Sequence, residues 1–309
     1  VYAQGHLMSS NEFFWWKYNS TYFKQHQIKE ITETQTKKGK QFIIGTGSYN
    51  RVGQQIQFTQ YKNNKPQRTT INEYTNDSTL TRMIYIVKGD TIRDHTYQLN
   101  NNGQIEAVVC KGKNGKLLNT QLFSYNAAGK MIKSETITAK GKPSFKVESD
   151  YDSLGNRTES RYYNRRSKLY RRYTYACNVA GEQIKSTVEN HQICKSYNQY
   201  PDGSFVVVSE NRDQKSRVVR VVSSYTADSL LTKLEKFDYT GKLESLTTLE
   251  YDDAKNIIRY QFKDKQRSKF TKSYARKYEA QSNIVLSTLQ YNQKDKLVLV
   301  TSYQYQYHK

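Results

Sequence analysis

Tyrosines followed by turn-forming residues recur through this chain at a nearly constant spacing. They are Tyr49, Tyr74, Tyr97, Tyr125, Tyr151, Tyr175, Tyr200, Tyr225, Tyr251, Tyr278 and Tyr303, at intervals between 23 and 28 residues. Self-similarity at a period near 25, sustained over ten units, means a repeat architecture in which each unit is one supersecondary element stacked on its neighbours. Within a unit, the Tyr is followed by Asn, Asp or another small polar residue and often Gly, as in Tyr125-Asn126-Ala127-Ala128-Gly129. A run rich in Val, Ile, Thr, Ser and Tyr follows, then a second, Lys-rich turn such as Lys140-Gly141-Lys142. Turn signals between runs of period-2 alternation are hairpin signals. The run Leu169–Tyr175 shows the alternation, with Leu169, Arg171, Tyr173 and Tyr175 on one face.

Each unit is therefore a β-hairpin. The spacing of turns predicts an all-β chain, a long antiparallel meander of about 22 strands in a single open, curved and twisted sheet. A flat sheet of that size would be about 100 Å wide, so it must twist or curl. Composition supports the reading. Only 36% of the 309 residues are hydrophobic, too few for a thick aliphatic core, while 27 tyrosines supply large rings whose hydroxyls stay wet. An aromatic content of 13% also excludes a solvated coil. Stacked in register, the tyrosines form a ladder along the sheet, a structural role rather than a ligand-binding one.

The segment Tyr151-Asp152-Ser153-Leu154-Gly155-Asn156-Arg157 resembles the YD repeat, or rearrangement-hotspot (Rhs) repeat, of bacterial surface and toxin-delivery proteins. Tyr125–Lys130 and Tyr49–Gly53 match with Asn for Asp, and Tyr200-Pro201-Asp202-Gly203 and Tyr251-Asp252-Asp253 are degenerate forms. The resemblance runs over residues 49–303. It implies a spiralling β-sheet. In that family many repeats enclose a toxin cargo, whereas ten units favour an open sheet here.

Charge is the second constraint. The chain carries 49 Lys and Arg against 28 Asp and Glu, a net +21. A meander places alternate turns on opposite edges. The Tyr-initiated turns sum to −4 and the turns between them to +18, so one edge carries most of the excess. A linear array of like charge attracts extended polyanions. Two segments are densest: one holds Arg161, Arg165, Arg166, Lys168, Arg171 and Arg172, the other Lys263, Lys265, Arg267 and Lys269. Both are candidate ligand-binding residues, basic groups interleaved with aromatics that contact anionic groups while rings stack. The competing reading is that Lys-rich turns give solubility and protect exposed edges. Trp15 and Trp16 lie in an aromatic segment before the first repeat, expected to be an N-terminal cap over residues 4–25 with a carbohydrate-stacking platform as the functional alternative. Residues 26–309 then form a single repeat array. Ser10 or Asn11 is a candidate N-cap for a capping helix.

No nucleophile elbow, zinc-protease helix, P-loop or dinucleotide fingerprint is present, and the five histidines are scattered. The expectation is a non-enzymatic chain with no cofactor or metal. Cys110, Cys177 and Cys194 are odd in number and do not form a disulfide scaffold. Val1-Tyr2-Ala3 fits the small residues required before a signal-peptidase cut and is read as the remnant of a signal peptide, which predicts an exported protein in the periplasm, at the cell surface or secreted. No stretch is apolar enough for a transmembrane helix. The functional expectation is a binding or scaffold module presenting its basic edge to an anionic polysaccharide, lipopolysaccharide or protein. Two alternatives stand beside it: an adaptor of a YD-repeat toxin system that binds a protein by strand addition, and nucleic-acid binding, which the exported setting disfavours.

Overall fold

The computed structural model describes residues 20–75, 79–177, 183–188, 191–212, 218–264, 271–279, 282, 284–292 and 296–308. After a short helix α1 (Ser20–Gln25) come β1 (Ile28–Lys37), β2 (Lys40–Tyr49), β3 (Gln55–Lys62), β4 (Lys65–Thr75), β5 (Thr79–Val87), β6 (Asp90–Leu99), β7 (Ile105–Lys111), β8 (Leu117–Tyr125), β9 (Met131–Thr138), β10 (Pro143–Tyr151) and β11 (Arg157–Tyr163). Then follow β12 (Leu169–Cys177), β13 (Gln183–Val188), β14 (His191–Gln199), β15 (Phe205–Arg212), β16 (Val218–Tyr225), β17 (Leu231–Phe237), β18 (Leu243–Tyr251), β19 (Ile257–Asp264), β20 (Thr271–Tyr278), β21 (Val285–Tyr291) and β22 (Leu297–Tyr307). The 22 strands belong to one antiparallel sheet, as the repeat spacing predicts.

The strands form one open antiparallel sheet, as expected, but β1 and β22 are not its ends: they pair antiparallel with each other, from Ile28 opposite Tyr307 to Thr36 opposite Val300. The strand order therefore runs from β14 to β22, then β1, then β2 to β13, and the register between β13 and β14 lies outside the described residues. Spacing alone does not reveal this, because each hairpin fixes only its own partner.

Contacts divide the chain into two units, one taking the chain up to Ile44 with His191–Lys309, the other Gly45–Asn190. In the first, Leu231, Leu249, Tyr260 and Tyr274 form a buried cluster flanked by Tyr225, Tyr251, Ile257 and Phe262. Helix α1 belongs to this unit. Its Phe23 is buried, and the Tyr22 hydroxyl accepts a hydrogen bond from the Val285 amide at 3.0 Å. Ile28 and Ile31 of β1 are buried as well. Ser10, Asn11, Trp15 and Trp16 lie outside the described residues. In the second unit, buried positions hold Tyr49 and otherwise mostly small or polar side chains, some of which pair across strands: Thr59 with Thr69 at 3.1 Å and Ser149 with Ser160 at 3.2 Å. Mutual hydrogen bonding makes burial of these hydroxyls tolerable where large aliphatics are scarce.

The structure explains the repeat signature residue by residue. Most Tyr-initiated turns are three-residue loops in which a type I turn ends on a left-handed residue. In Tyr125–Lys130, the Asn126 amide donates to the Lys130 carbonyl, the Gly129 amide donates to the Asn126 carbonyl, and Gly129 has φ 74°. The residue after Tyr supplies a side-chain oxygen. Asp152 accepts from the amides of Leu154 (3.0 Å) and Asn156 (2.8 Å), and Asn156 Nδ2 donates to its other oxygen. These amides, Asn156 first, hold the Asp152 carboxyl below the usual range.

The Tyr sits where the ladder register slips by one residue, as at Asp150/Tyr151 and Glu250/Tyr251. Its hydroxyl donates to the carbonyl of the first residue of the preceding strand. The pairs are Tyr74 with Gln55 (3.0 Å), Tyr125 with Ile105 (2.8 Å), Tyr151 with Met131 (3.0 Å), Tyr251 with Leu231 (2.7 Å), Tyr278 with Ile257 (2.8 Å) and Tyr305 with Val285. The bulge disrupts the ladder, and the phenol supplies a donor beside it. Register also moves some repeat positions. Leu99 rather than Tyr97, Cys177 rather than Tyr175, Gln199 rather than Tyr200 and Tyr305 rather than Tyr303 occupy the signature place.

Candidate polyanion-binding edge

Within the Gly45–Asn190 unit, the turns between the Tyr-initiated ones lie along one edge. The first two described there are two-residue turns, Asn63–Asn64 and Lys88–Gly89, with every residue at positive φ, the type I′ geometry that matches strand twist. The next three are three-residue loops closed by the same pair of backbone bonds. In these, Gly112 donates to Lys116 (2.7 Å), Thr138 to Lys142 (2.9 Å) and Asn164 to Lys168 (3.0 Å). The left-handed position is Gly115, Gly141 and Ser167 respectively.

Asn164 organises the last of these. Its Oδ1 accepts from the amides of Arg166 (2.9 Å) and Lys168 (3.2 Å), fixing Arg165 and Arg166 at the two central positions of the turn. With Ser144 on the adjacent strand, Asn164, Arg165 and Arg166 line an open recess of about 450 Å³. Lys116, Lys140, Lys142, Arg165, Arg166 and Lys168 are all exposed, and among the described residues none of their side chains has an ion-pair partner. The turns at 62–65, 111–116, 138–143 and 164–168 together carry +10. Same-side turns repeat every second strand, about 10 Å apart. That is close to the screening length of about 8 Å at physiological salt, so neighbouring turns reinforce one another's field most strongly when salt is low.

The structure separates the candidate residues of the 161–172 segment. Arg165, Arg166 and Lys168 share the turn. Arg161 and Arg172 do not join them: they sit opposite each other in the ladder and are neutralised by acidic neighbours. Arg161 reaches Asp150 (2.6 Å), Glu159 (2.8 Å) and Glu148 (3.6 Å), while Arg172 reaches Glu159 (2.6 Å). Arg172 is the main cause holding the Glu159 carboxyl low, and Lys146, at 2.8 Å, is the main cause for Glu148. Arg171 is exposed and donates to the Tyr173 hydroxyl at 3.3 Å. In the other unit, Lys263 is exposed at the end of β19, and Lys265, Arg267 and Lys269 lie outside the described residues. Lys116, Lys140 and Lys142 are members of the edge that residue density missed. Their signal was the charge summed by turn, not the charge clustered along the sequence.

No group of three or more His, Cys, Asp or Glu side chains suited to a metal occurs among the described residues. No described helix is long and apolar enough to cross a membrane.

No family model matches the chain, and no curated protein matches it. Among solved structures it is similar to TcdB2-TccC3-TEV, at 10% identity and a TM-score of 0.40, over 85% of this chain and 16% of that one. The chain thus spans about one sixth of that protein's length. It is also similar to a porin-like protein from Bacteroides uniformis, at 12% identity and a TM-score of 0.30 over 90% of this chain and 98% of that one. A porin-like protein from Bacteroides vulgatus follows at 11% identity and a TM-score of 0.25, over 74% and 98%.

Proposed function

We propose that this chain is a non-enzymatic, exported binding scaffold that presents its basic turn edge to an anionic polymer of the cell envelope, an acidic polysaccharide or lipopolysaccharide. The observation that carries the reading is the row of cationic side chains that have no ion-pair partner among the described residues, Lys116, Lys140, Lys142, Arg165, Arg166 and Lys168, on successive same-side turns. A cation used for folding is spent on a neighbouring carboxylate, as Arg161 and Arg172 are. These six are not, and backbone hydrogen bonds close the turns that carry them at the rim of the sheet. Against strand addition to a protein partner stands the pairing of β1 with β22, which occupies the backbone edges of the chain's own first and last strands.

The test is binding of the full chain to polygalacturonate, lipopolysaccharide and neutral dextran at low and high salt. The expected result is retention on the two anionic materials that falls with salt, and none on dextran. Replacing Arg165, Arg166 and Lys168 with Ser weakens binding and flattens its salt dependence. Equal binding to dextran, or unchanged binding by the triple variant, overturns the proposal.

A further inference from the structure

A row of side chains crosses five consecutive strands at one level of the Gly45–Asn190 unit. Asn72 on β4 is opposite Met83 on β5, Met83 is opposite His95 on β6, His95 is opposite Cys110 on β7, and Cys110 is opposite Asn119 on β8. Directly opposed residues in an antiparallel sheet project to the same face, so these five side chains stand side by side. Three of them in succession, thioether, imidazole and thiol, are metal ligands. Cys110 is 6% exposed, and its Sγ lies 3.8 Å from His95 Nε2. Asn72, 8% exposed, donates through Nδ2 to the Gln55 carbonyl at 2.8 Å, while its buried Oδ1 has no hydrogen-bond partner among the described residues.

We infer that Met83, His95 and Cys110 form a binding site for a soft monovalent metal ion, copper(I). The separation of the two donor atoms fits an ion between them. With metal–sulfur and metal–nitrogen bonds of about 2.3 and 2.05 Å, a gap of 3.8 Å corresponds to an angle of about 120° at the metal, the trigonal value. Met83 stands opposite His95 on the strand beyond it, and its flexible three-bond thioether side chain is the third donor of the inferred site. Donor softness selects the metal, since thiolate and thioether favour copper(I) over hard divalent ions. Charge selects it too. One thiolate with one monovalent cation is neutral, whereas a divalent ion on the same three ligands leaves a net positive charge beside a buried Cys, which is costly. Tyr85, packed edge-on against His95 at 6.1 Å between ring centroids, covers the ring from one side.

The test is an anaerobic titration of the full chain with copper(I) buffered by the chromophoric chelator bicinchoninate. The wild-type chain is expected to withdraw one equivalent. Cys110→Ser abolishes the withdrawal, and Met83→Leu, which conserves volume, weakens it on the order of tenfold or more. Cys177→Ser with Cys194→Ser retains it. X-ray absorption of the loaded protein should show two sulfurs and one nitrogen. Circular dichroism identifies any variant that fails to fold, and the Met83→Leu result then decides alone. No withdrawal by the wild type, equal withdrawal by folded Cys110→Ser, or unchanged affinity in Met83→Leu overturns the site. Tighter binding of zinc(II) than of copper(I) overturns the choice of metal.

Discussion

The tyrosine hydroxyl that reaches the preceding strand gives the repeat its identity, and its contribution is measurable one atom at a time. Tyr151→Phe removes the bond to the Met131 carbonyl near solvent, a loss of about 0.5–1.5 kcal/mol. Tyr251→Phe leaves the carbonyl of buried Leu231 without that donor, and should cost about 1–3 kcal/mol. Urea denaturation of each variant checks the order. The same residue predicts an alkaline limit. Burial, with Tyr225 adding to it, pushes the Tyr251 pKa up to about 12. The folded state thus favours the neutral phenol, and its contribution is complete below the ordinary tyrosine pKa of about 10. It is lost as pH rises through 12. Between pH 10 and 12 the stability of the wild type should fall more steeply than that of Tyr251→Phe. Parallel curves would show that the phenol's burial does not set this limit.

At the level of the hairpin, backbone conformation decides which residues each turn accepts. Ser167 holds the left-handed position that Gly115 and Gly141 hold in the two preceding same-side turns, at φ 56°. A side chain there carries a cost of about 1–2 kcal/mol that Gly avoids. Ser167→Gly should therefore raise the melting temperature by a few degrees without altering the polyanion binding proposed for Arg165 and Arg166, read by thermal melting and by the glycan assay together. A fall in melting temperature would refute the turn assignment. Most of this level was legible in the sequence. Tyr, then Asp or Asn, then Gly specifies a bulge, a capped turn and a left-handed residue, and the spacing of these turns with the Lys-rich turns between them led to the count of about 22 strands. Registers at Leu99, Cys177 and Tyr305 were not legible. Tyrosines two residues away share the face of the signature position, and spacing cannot separate residues of the same parity. The candidate edge was half legible for a related reason. Charge counted by turn found it, while charge counted along the chain mixed the turn cations with Arg161 and Arg172, whose carboxylate partners come from neighbouring strands.

For the molecule as a whole, the pairing of first and last strands has the largest consequence. An exposed strand edge templates association with other chains, and here the two strands that a simple meander would leave exposed satisfy each other. Thr34 lies opposite Ser302 across this pair. Opposed residues in an antiparallel ladder have Cα atoms about 4.5–5.5 Å apart, within disulfide range. Thr34→Cys with Ser302→Cys, made where Cys110, Cys177 and Cys194 are Ser, should oxidise to a single intramolecular crosslink. That crosslink closes nearly the entire chain into one loop, so it should stabilise by up to about 5 kcal/mol through loss of unfolded-state entropy. Thiol titration and non-reducing electrophoresis read the bond, and denaturation with and without reductant reads its energy. The control is Thr34→Cys with Ser287→Cys. Ser287 lies opposite Ser302 on the far side of β22, two ladders from Thr34, and should not crosslink. Free thiols in the first variant, or intermolecular dimers in place of the internal bond, would mean that β1 and β22 are open edges. Strand addition to a protein partner would then regain its standing against the basic turn edge.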